Sequence, residues 1–286
     1  MVVSVASGKG GTGKTLVATS LALTLGDAGE VQLLDCDVEE PNAHIFLHFP
    51  LNQSRPVSIP IPRVDETKCT YCGKCAEVCA YNAIAVVSRK VLIFPQLCHG
   101  CGACSHLCPE SAITEEGREI GVVEKGNSGN VEFIQGKLTI GEPMAPPIIR
   151  EVKRHVDPTR TVIIDVPPGT SCPVVEAVKG TDFCLLVTEP TPFGLNDLSL
   201  AVEVVRKLQI PCGVIINRVG VGDDRVERYC LEEKIPVLLK IPLDRDIAVL
   251  YSKGIPLVEG MPEWRDPFLK LFQDIEQIVS ASQAVK

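Results

Sequence analysis

"SGKGGTGKT", Ser7–Thr15, is the stretch on which the fold turns. Gly8, Gly13, Lys14 and Thr15 satisfy the pattern G-x-x-x-x-G-K-[ST]. The apolar run "VVSVA" before it reads as a strand, and "TLVATSLALTLG" behind it carries apolar residues at helical spacing up to Gly26. A glycine-rich loop between a strand and a helix is a cradle for phosphate. Backbone N–H groups of Gly8, Gly10, Gly11, Thr12 and Gly13 can point at phosphate oxygens, Lys14 supplies a charge near the β/γ-phosphates, and Thr15 can ligate Mg²⁺. Lys9 has no role in that minimal scheme.

Working outward, four later apolar runs, "TVIIDV", "FCLLVT", "CGVIIN" and "VLLKI", read as buried strands, with helical stretches such as "LNDLSLAVEVVRKL" between most of them. With "VVSVA" and "VQLLDCD" they form the alternating pattern of a doubly wound, mainly parallel α/β sheet. Ligands of such sheets sit at the carboxyl ends of the strands, where every motif of this part of the chain lies.

The chain has 286 residues, a 45% hydrophobic fraction and a formal net charge of −8. The length suits one large and one smaller domain. The acidic balance, without a basic stripe, argues against nucleic acid as a partner. No run approaches the ~18 consecutive apolar residues of a membrane span, and the N-terminus leads straight into a strand, so a cytoplasmic protein is expected. Thirteen cysteines in a reducing compartment point to metal rather than to disulfides.

The α/β pattern breaks between residues 58 and 116, which reads as a small inserted α+β domain inside a discontinuous host of residues 1–57 and 117–286. The insert repeats itself: "CTYCGKCAEVCAYNAI" from Cys69 is echoed by "CHGCGACSHLCPESAI" from Cys98. Each half has the spacing C-x₂-C-x₂-C-x₃-C of bacterial ferredoxins, in which three close thiolates wrap one 4Fe–4S cluster and the fourth reaches the other. Cluster one is then expected on Cys69, Cys72, Cys75 and Cys108, and cluster two on Cys98, Cys101, Cys104 and Cys79. Pro109 follows the second motif as that pattern requires, whereas Ala80 replaces proline after the first.

"KGGTGKT" resembles the deviant phosphate-binding motif of the MinD/ParA/Mrp ATPases and of the nitrogenase iron protein, and host plus insert resemble MinD-type P-loop ATPases containing a 2×4Fe–4S ferredoxin domain. The resemblance implies ATP/ADP and Mg²⁺ as ligands and a dimer in which Lys9 reaches the phosphates bound by the other subunit. It implies a first switch at "CDVEEPN", with Asp37 orienting the attacking water or the magnesium shell, Asp35 at the strand end, and Glu39, Glu40 and Asn42 continuing the switch. "VIIDVPPG" resembles the strand whose aspartate, Asp165, holds a magnesium-bound water, followed by a second switch at Pro167, Pro168 and Gly169. Asn217 of "VIINR" and Pro242 and Asp244 of "IPLDRDI" resemble the base-binding positions, strand-end capping being the plainer alternative for both.

Of the other cysteines, Cys184, Cys212 and Cys230 are expected as small buried hydrophobes, and Cys36 as packed or redox-sensitive. In the nitrogenase iron protein a cysteine at the offset of Cys172 ligates a cluster shared between subunits. That arrangement needs a second cysteine, and none stands between Cys108 and Cys172, so a packed loop residue is expected instead.

Three functions are consistent with this reading. The first is an ATP-hydrolysing dimeric switch, paired with itself or with a related ATPase, that gates electron transfer from the clusters to a redox partner protein. The second is an iron–sulfur scaffold or carrier similar to Mrp, although the host has no C-x-x-C pair of its own. The third is a positioning ATPase with structural or oxygen-sensing clusters; its membrane helix would be basic, whereas the C-terminal "DPFLKLFQDIEQIVSASQAVK" carries little positive charge and is expected to pack on its own sheet.

Overall fold

The computed structural model describes residues 1–48 and 50–284. The first half of the host contributes β1 (Val2–Ala6), α1 (Lys14–Gly26), β2 (Val31–Asp35) and the short α2 (His44–Leu47). Then come β3 (Gln53–Val64), α3 (Lys74–Glu77), β4 (Ile84–Val87), β5 (Lys90–Ile93), α4 (Ala103–His106), β6 (Ile113–Ser128) and β7 (Val131–Leu138). The remainder is α5 (Pro146–Lys153), β8 (Thr161–Asp165), α6 (Cys172–Val178), β9 (Phe183–Thr188), α7 (Pro192–Lys207), β10 (Cys212–Val219), α8 (Arg225–Glu232), β11 (Val237–Pro242), α9 (Arg245–Ser252), α10 (Leu257–Gly260) and α11 (Arg265–Ala284).

Nine strands form one sheet in the order β11-β10-β9-β1-β8-β2-β7-β6-β3. The strands from β11 to β7 are parallel, with β1 at the point where the connections reverse direction. The expected parallel strands are therefore present. Their side chains alternate between two cores: Val3, Leu33, Ile163, Leu185 and Ile215 face α1, α9, α10 and α11, while Leu34, Ile164, Leu186 and Ile216 face α5, α6, α7 and α8. Burial on both faces explains why these strands read as continuous apolar runs rather than as alternating ones. Helix α11 buries Phe268, Leu271, Ile275 and Val279 in the first of these cores, at helical spacing.

The last two strands differ. β3 and β6 pair antiparallel over their length, from Gln53↔Lys125 to Val64↔Ile113, and β6 pairs antiparallel with β7. Pro56, Pro60 and Pro62 fit because β3 lies at the sheet edge and all three fall on one parity, which keeps their missing N–H groups out of the ladder with β6; Pro56 is exposed, whereas Pro60 and the buried Pro62 line a cavity of the cysteine-bearing unit. The ribbon crosses both expected domain boundaries, with one irregularity at the first of them, and the cysteine-bearing unit, residues 65–112, is mounted at its end around the hairpin β4–β5. The register shifts between Val57↔Gly121 and Ser58↔Glu119, which leaves Ile120 as an extra residue in β6.

Candidate nucleotide site and cysteine-lined cavities

The loop after β1 is shaped by two close approaches. A Cβ on Gly8 would lie 2.1 Å from the Asp197 carbonyl oxygen of α7, so only glycine lets that helix pack on the loop. Gly13 enters α1 at φ 97°, and a Cβ there would meet Asn217 Nδ2 at 2.4 Å. Asn217 donates from Nδ2 to the Thr12 carbonyl at 2.8 Å and accepts from Arg218 N at 2.9 Å. It lines the cleft as expected, but these bonds also make it a brace of the phosphate loop.

An open cleft runs over this loop. Gly10, Gly11, Gly13, Lys14 and Thr15 form its floor, Asp37 and Asn42 stand on one side, and Asn217, Pro242 and Asp244 on another. Asp244 also caps α9 by accepting from Asp246 N at 2.6 Å, so its strand-end role and its place in the cleft coexist.

Asp35, Asp37 and Asp165 lie near one another at and just past the strand ends, and Asp165 contacts Thr15. Asp35 and Asp165 are register partners at the ends of β2 and β8. Both oxygens of Asp35 are occupied, accepting from Asp37 N at 3.0 Å, Asn42 N at 3.1 Å and Ala43 N at 3.0 Å; it anchors the 37–43 segment rather than facing a metal. Asp165 Oδ2 accepts from Thr15 Oγ1 at 2.7 Å, and its Oδ1 is buried without a hydrogen-bond partner among the described residues.

Burial pushes the Asp165 carboxyl up to about 7, with the charge of Asp37 adding and the Thr15 hydroxyl and Lys14 opposing. Asp37 is raised to about 6, by burial first, opposed by Lys14 and assisted by Glu40 and Glu39. Asp35 is raised well above its ordinary value by burial and then by Asp165. Oxygen donors with an unused lone pair, next to a phosphate cradle, fit Mg²⁺ carrying most of its own waters.

Lys9 lies outside the lining of this cleft. Its Nζ is 3.1 Å from Glu189 Oε2, and Glu189 Oε1 accepts from Arg218 Nη1 at 2.5 Å. Glu189 and Arg218 were not singled out in the sequence; the usable signal was their position just past β9 and beside Asn217.

The cysteine motifs line two small cavities. The first draws Cys69, Cys72 and Cys75 from one motif and Cys108 from the other; the second draws Cys98, Cys101 and Cys104 together with Cys79. Gly73 and Gly102, at φ 81° and 73°, open α3 and α4 and so bring the third thiol of each motif to its cavity. Backbone N–H groups of Tyr71, Ala83, Gly100 and Ala112 donate to the sulfurs of Cys69, Cys79, Cys98 and Cys108 at 3.3–3.5 Å. Such bonds stabilise thiolate charge. Among the described residues no three His, Cys, Asp or Glu converge as ligands of a single ion. Four soft donors spread over a cavity wall fit a polynuclear iron–sulfur group.

Cys184 and Cys230 are buried as expected, Cys212 is half-buried against the core, and Cys36 is fully buried with its thiol pushed up by burial. Cys172 departs from the expectation of a packed residue: it is exposed, because it stands at the first position of α6, ahead of the face that packs.

The family model described as the CobQ/CobB/MinD/ParA nucleotide binding domain matches residues 3–257. The chain belongs to this family. Among relatives, an uncharacterized protein of Methanocaldococcus jannaschii is 36% identical over 89% of this chain and 90% of its own length. A cytosolic Fe-S cluster assembly factor Nubp2 homolog of Anopheles gambiae is 26% identical over 92% of this CobQ/CobB/MinD/ParA chain and 90% of its own. The crystal structure of the Pyrococcus furiosus cell division ATPase MinD superposes with a TM-score of 0.60 at 23% identity, covering 96% of this chain and 98% of that one, a likeness of fold. Among the described residues no helix is long and apolar enough to cross a membrane.

Proposed function

We propose that this member of the CobQ/CobB/MinD/ParA family is an ATP-hydrolysing dimeric switch that carries two resident 4Fe–4S clusters on an inserted ferredoxin unit, residues 58–116, and passes electrons to a partner protein. The observation that carries this reading is the exchanged set of thiols, three from one motif and one from the other, around each of two small cavities. Clusters held in that way supply one-electron chemistry. The chain's own residues do the rest: Lys14 and the loop N–H groups hold the phosphates, Thr15 and Asp165 hold the hydrated Mg²⁺, and Asp37 orients the attacking water, since phosphoryl transfer depends on positioning and charge stabilisation. Lys9 leaves Glu189 and reaches the phosphates of a second subunit, identical or related.

A second reading, an iron–sulfur scaffold or carrier, draws more directly on the relatives, one of which bears the name of a cluster assembly factor and aligns over nearly the whole chain. The exposed Cys172, beside the second switch, is the host thiol best placed to hold cargo. The two are separated by loading the full chain anaerobically with ⁵⁵Fe and sulfide, adding ATP-Mg²⁺ and an apo-ferredoxin acceptor, and following the label. Iron retained through turnover, with oxidation of the dithionite-reduced clusters by an electron acceptor, supports the electron carrier. Iron delivered to the acceptor in an ATP-dependent manner overturns it in favour of the scaffold.

A further inference from the structure

The insert is tied to the first switch by a short chain of contacts. The Val38 carbonyl, one residue past Asp37, accepts from Leu138 N at 2.8 Å. The next residue, Thr139, donates its N–H at 2.9 Å to the carbonyl of Ile120, the extra residue of β6. Three residues further on, Glu142 grips Arg118 of β6 through two hydrogen bonds, Nη1 to Oε2 at 2.5 Å and Nη2 to Oε1 at 3.1 Å. Both side chains are sheltered, at 21% and 5% exposure, so this pair is less screened than a surface ion pair.

Arg118 is also close to the second cysteine cavity, although it does not line it. It is the register partner of Ile59, and Gly100, between Cys98 and Cys101, lies directly on Ile59 and Pro60. The pKa of Arg118 is raised, first by its hydrogen bond to Glu142 and then by the charges of Glu142 and Cys98. Its Nε–H is a buried donor without an acceptor among the described residues.

We propose that Arg118, held by Glu142, is the positioning residue through which the nucleotide switch sets the reduction potential of the cluster on Cys98, Cys101, Cys104 and Cys79. This rests on the cluster reading above. One-electron reduction adds negative charge to a cluster, so a guanidinium close by favours the reduced form and raises the potential. Glu142 offsets part of that charge and fixes its distance. The 138–142 strap is one wall of a groove whose other walls are the two switch segments, 37–40 and 167–173. A rearrangement of the switches around nucleotide moves the strap, and the strap moves Arg118.

The test uses the full chain, reconstituted anaerobically with iron and sulfide, and reads iron content and both potentials by EPR-monitored dithionite titration, with and without a non-hydrolysable ATP analogue and Mg²⁺. The clusters are assigned with Cys108→Ala, which removes a ligand of the other one. Arg118→Gln is expected to lower one potential only, by a threefold or larger change in the reduction equilibrium, about 28 mV at ~59 mV per decade for one electron. Arg118→Lys restores part of that loss. Glu142→Gln, which leaves Arg118 in place, raises the same potential and abolishes its response to nucleotide; it also keeps the test decisive should Arg118→Gln lose iron. Parental iron with unmoved potentials in the Gln variants overturns the proposal, as does an equal shift of both clusters. A parental chain that takes up no iron overturns the cluster reading itself.

Discussion

Thr15 donates its hydroxyl hydrogen to Asp165 Oδ2 at 2.7 Å, while Oδ1 of the same carboxylate, also buried, has no hydrogen-bond partner among the described residues. One oxygen is engaged and the other is left as an unused buried acceptor beside the start of α1. Asp165→Asn keeps the Thr15 contact and removes the charge. ATP hydrolysis is expected to fall by about 100-fold or more, the scale of losing one pre-organised electrostatic contact in a transition state. Binding of ADP without Mg²⁺ should change little. Phosphate release and calorimetry against each nucleotide check both halves.

The same carboxylates give the free chain a pH dependence with a definite sign. Asp165 and Asp37 are raised to about 7 and about 6 from an ordinary value of 3.8, so the folded chain binds more protons than the unfolded one between about pH 4 and pH 7. The stability they contribute is complete below pH 4 and is lost as pH rises through that window. Their contribution makes the nucleotide-free melting temperature fall across it, and Asp165→Asn should flatten that fall. ATP-Mg²⁺ neutralises the ionised forms, so its stabilising effect should be larger at pH 8 than at pH 5.5. Scanning fluorimetry over pH, with and without the nucleotide, would reveal an opposite slope if the assignment is wrong.

Lys9 is engaged by its own subunit's Glu189 at 3.1 Å. Crossing to another subunit requires that this pair open. A partly exposed pair contributes less than about 1 kcal/mol, so Glu189→Gln should tighten nucleotide-dependent dimerisation no more than about fivefold for each subunit that carries it. Lys9→Ala should abolish it while leaving monomeric nucleotide binding intact. Sedimentation velocity at several protein concentrations measures both; a Lys9→Ala chain that dimerises like its parent removes the lysine from the interface.

Removing one thiol tests the exchange between motifs. Cys108→Ala should eliminate the cluster held by Cys69, Cys72 and Cys75, although these belong to the other repeat, and lower iron from about eight to about four per chain. Cys79→Ala should remove the opposite one. Iron analysis with EPR distinguishes this from loss within the mutated repeat.

Six of the seven parallel strands were legible in the sequence because burial on both faces makes each a continuous apolar run, as in "TVIIDV" and "CGVIIN", whereas β7, "VEFIQGKL", with its polar residues and glycine, was not read as one. The long ribbon was not legible either. Three prolines in β3 and the charged, glycine-containing "ITEEGREIGVVEKGNS" of β6 argue against strand locally, and only the sheet edge and cross-strand pairing overrule them. The grouping of the eight motif cysteines followed from spacing alone. The division of labour between Asp35 and Asp165 did not, because it depends on three backbone N–H groups that the fold brings to Asp35. The partner of Lys9 was hidden for the same reason: Glu189 is 180 positions away and meets it only because β9 lies beside β1.

The prolines of β3 also govern how copies of this chain can meet. An unfinished sheet margin ordinarily invites another chain to zip onto it. At the exposed Pro56 the margin has no hydrogen to offer, and at Pro60 and Pro62 the cysteine-bearing unit already lies against it, so an incoming strand would find little continuous ladder to join. Strand addition on this side is disfavoured, and the ribbon can carry its sulfur-rich tip without making that tip a seed for self-association.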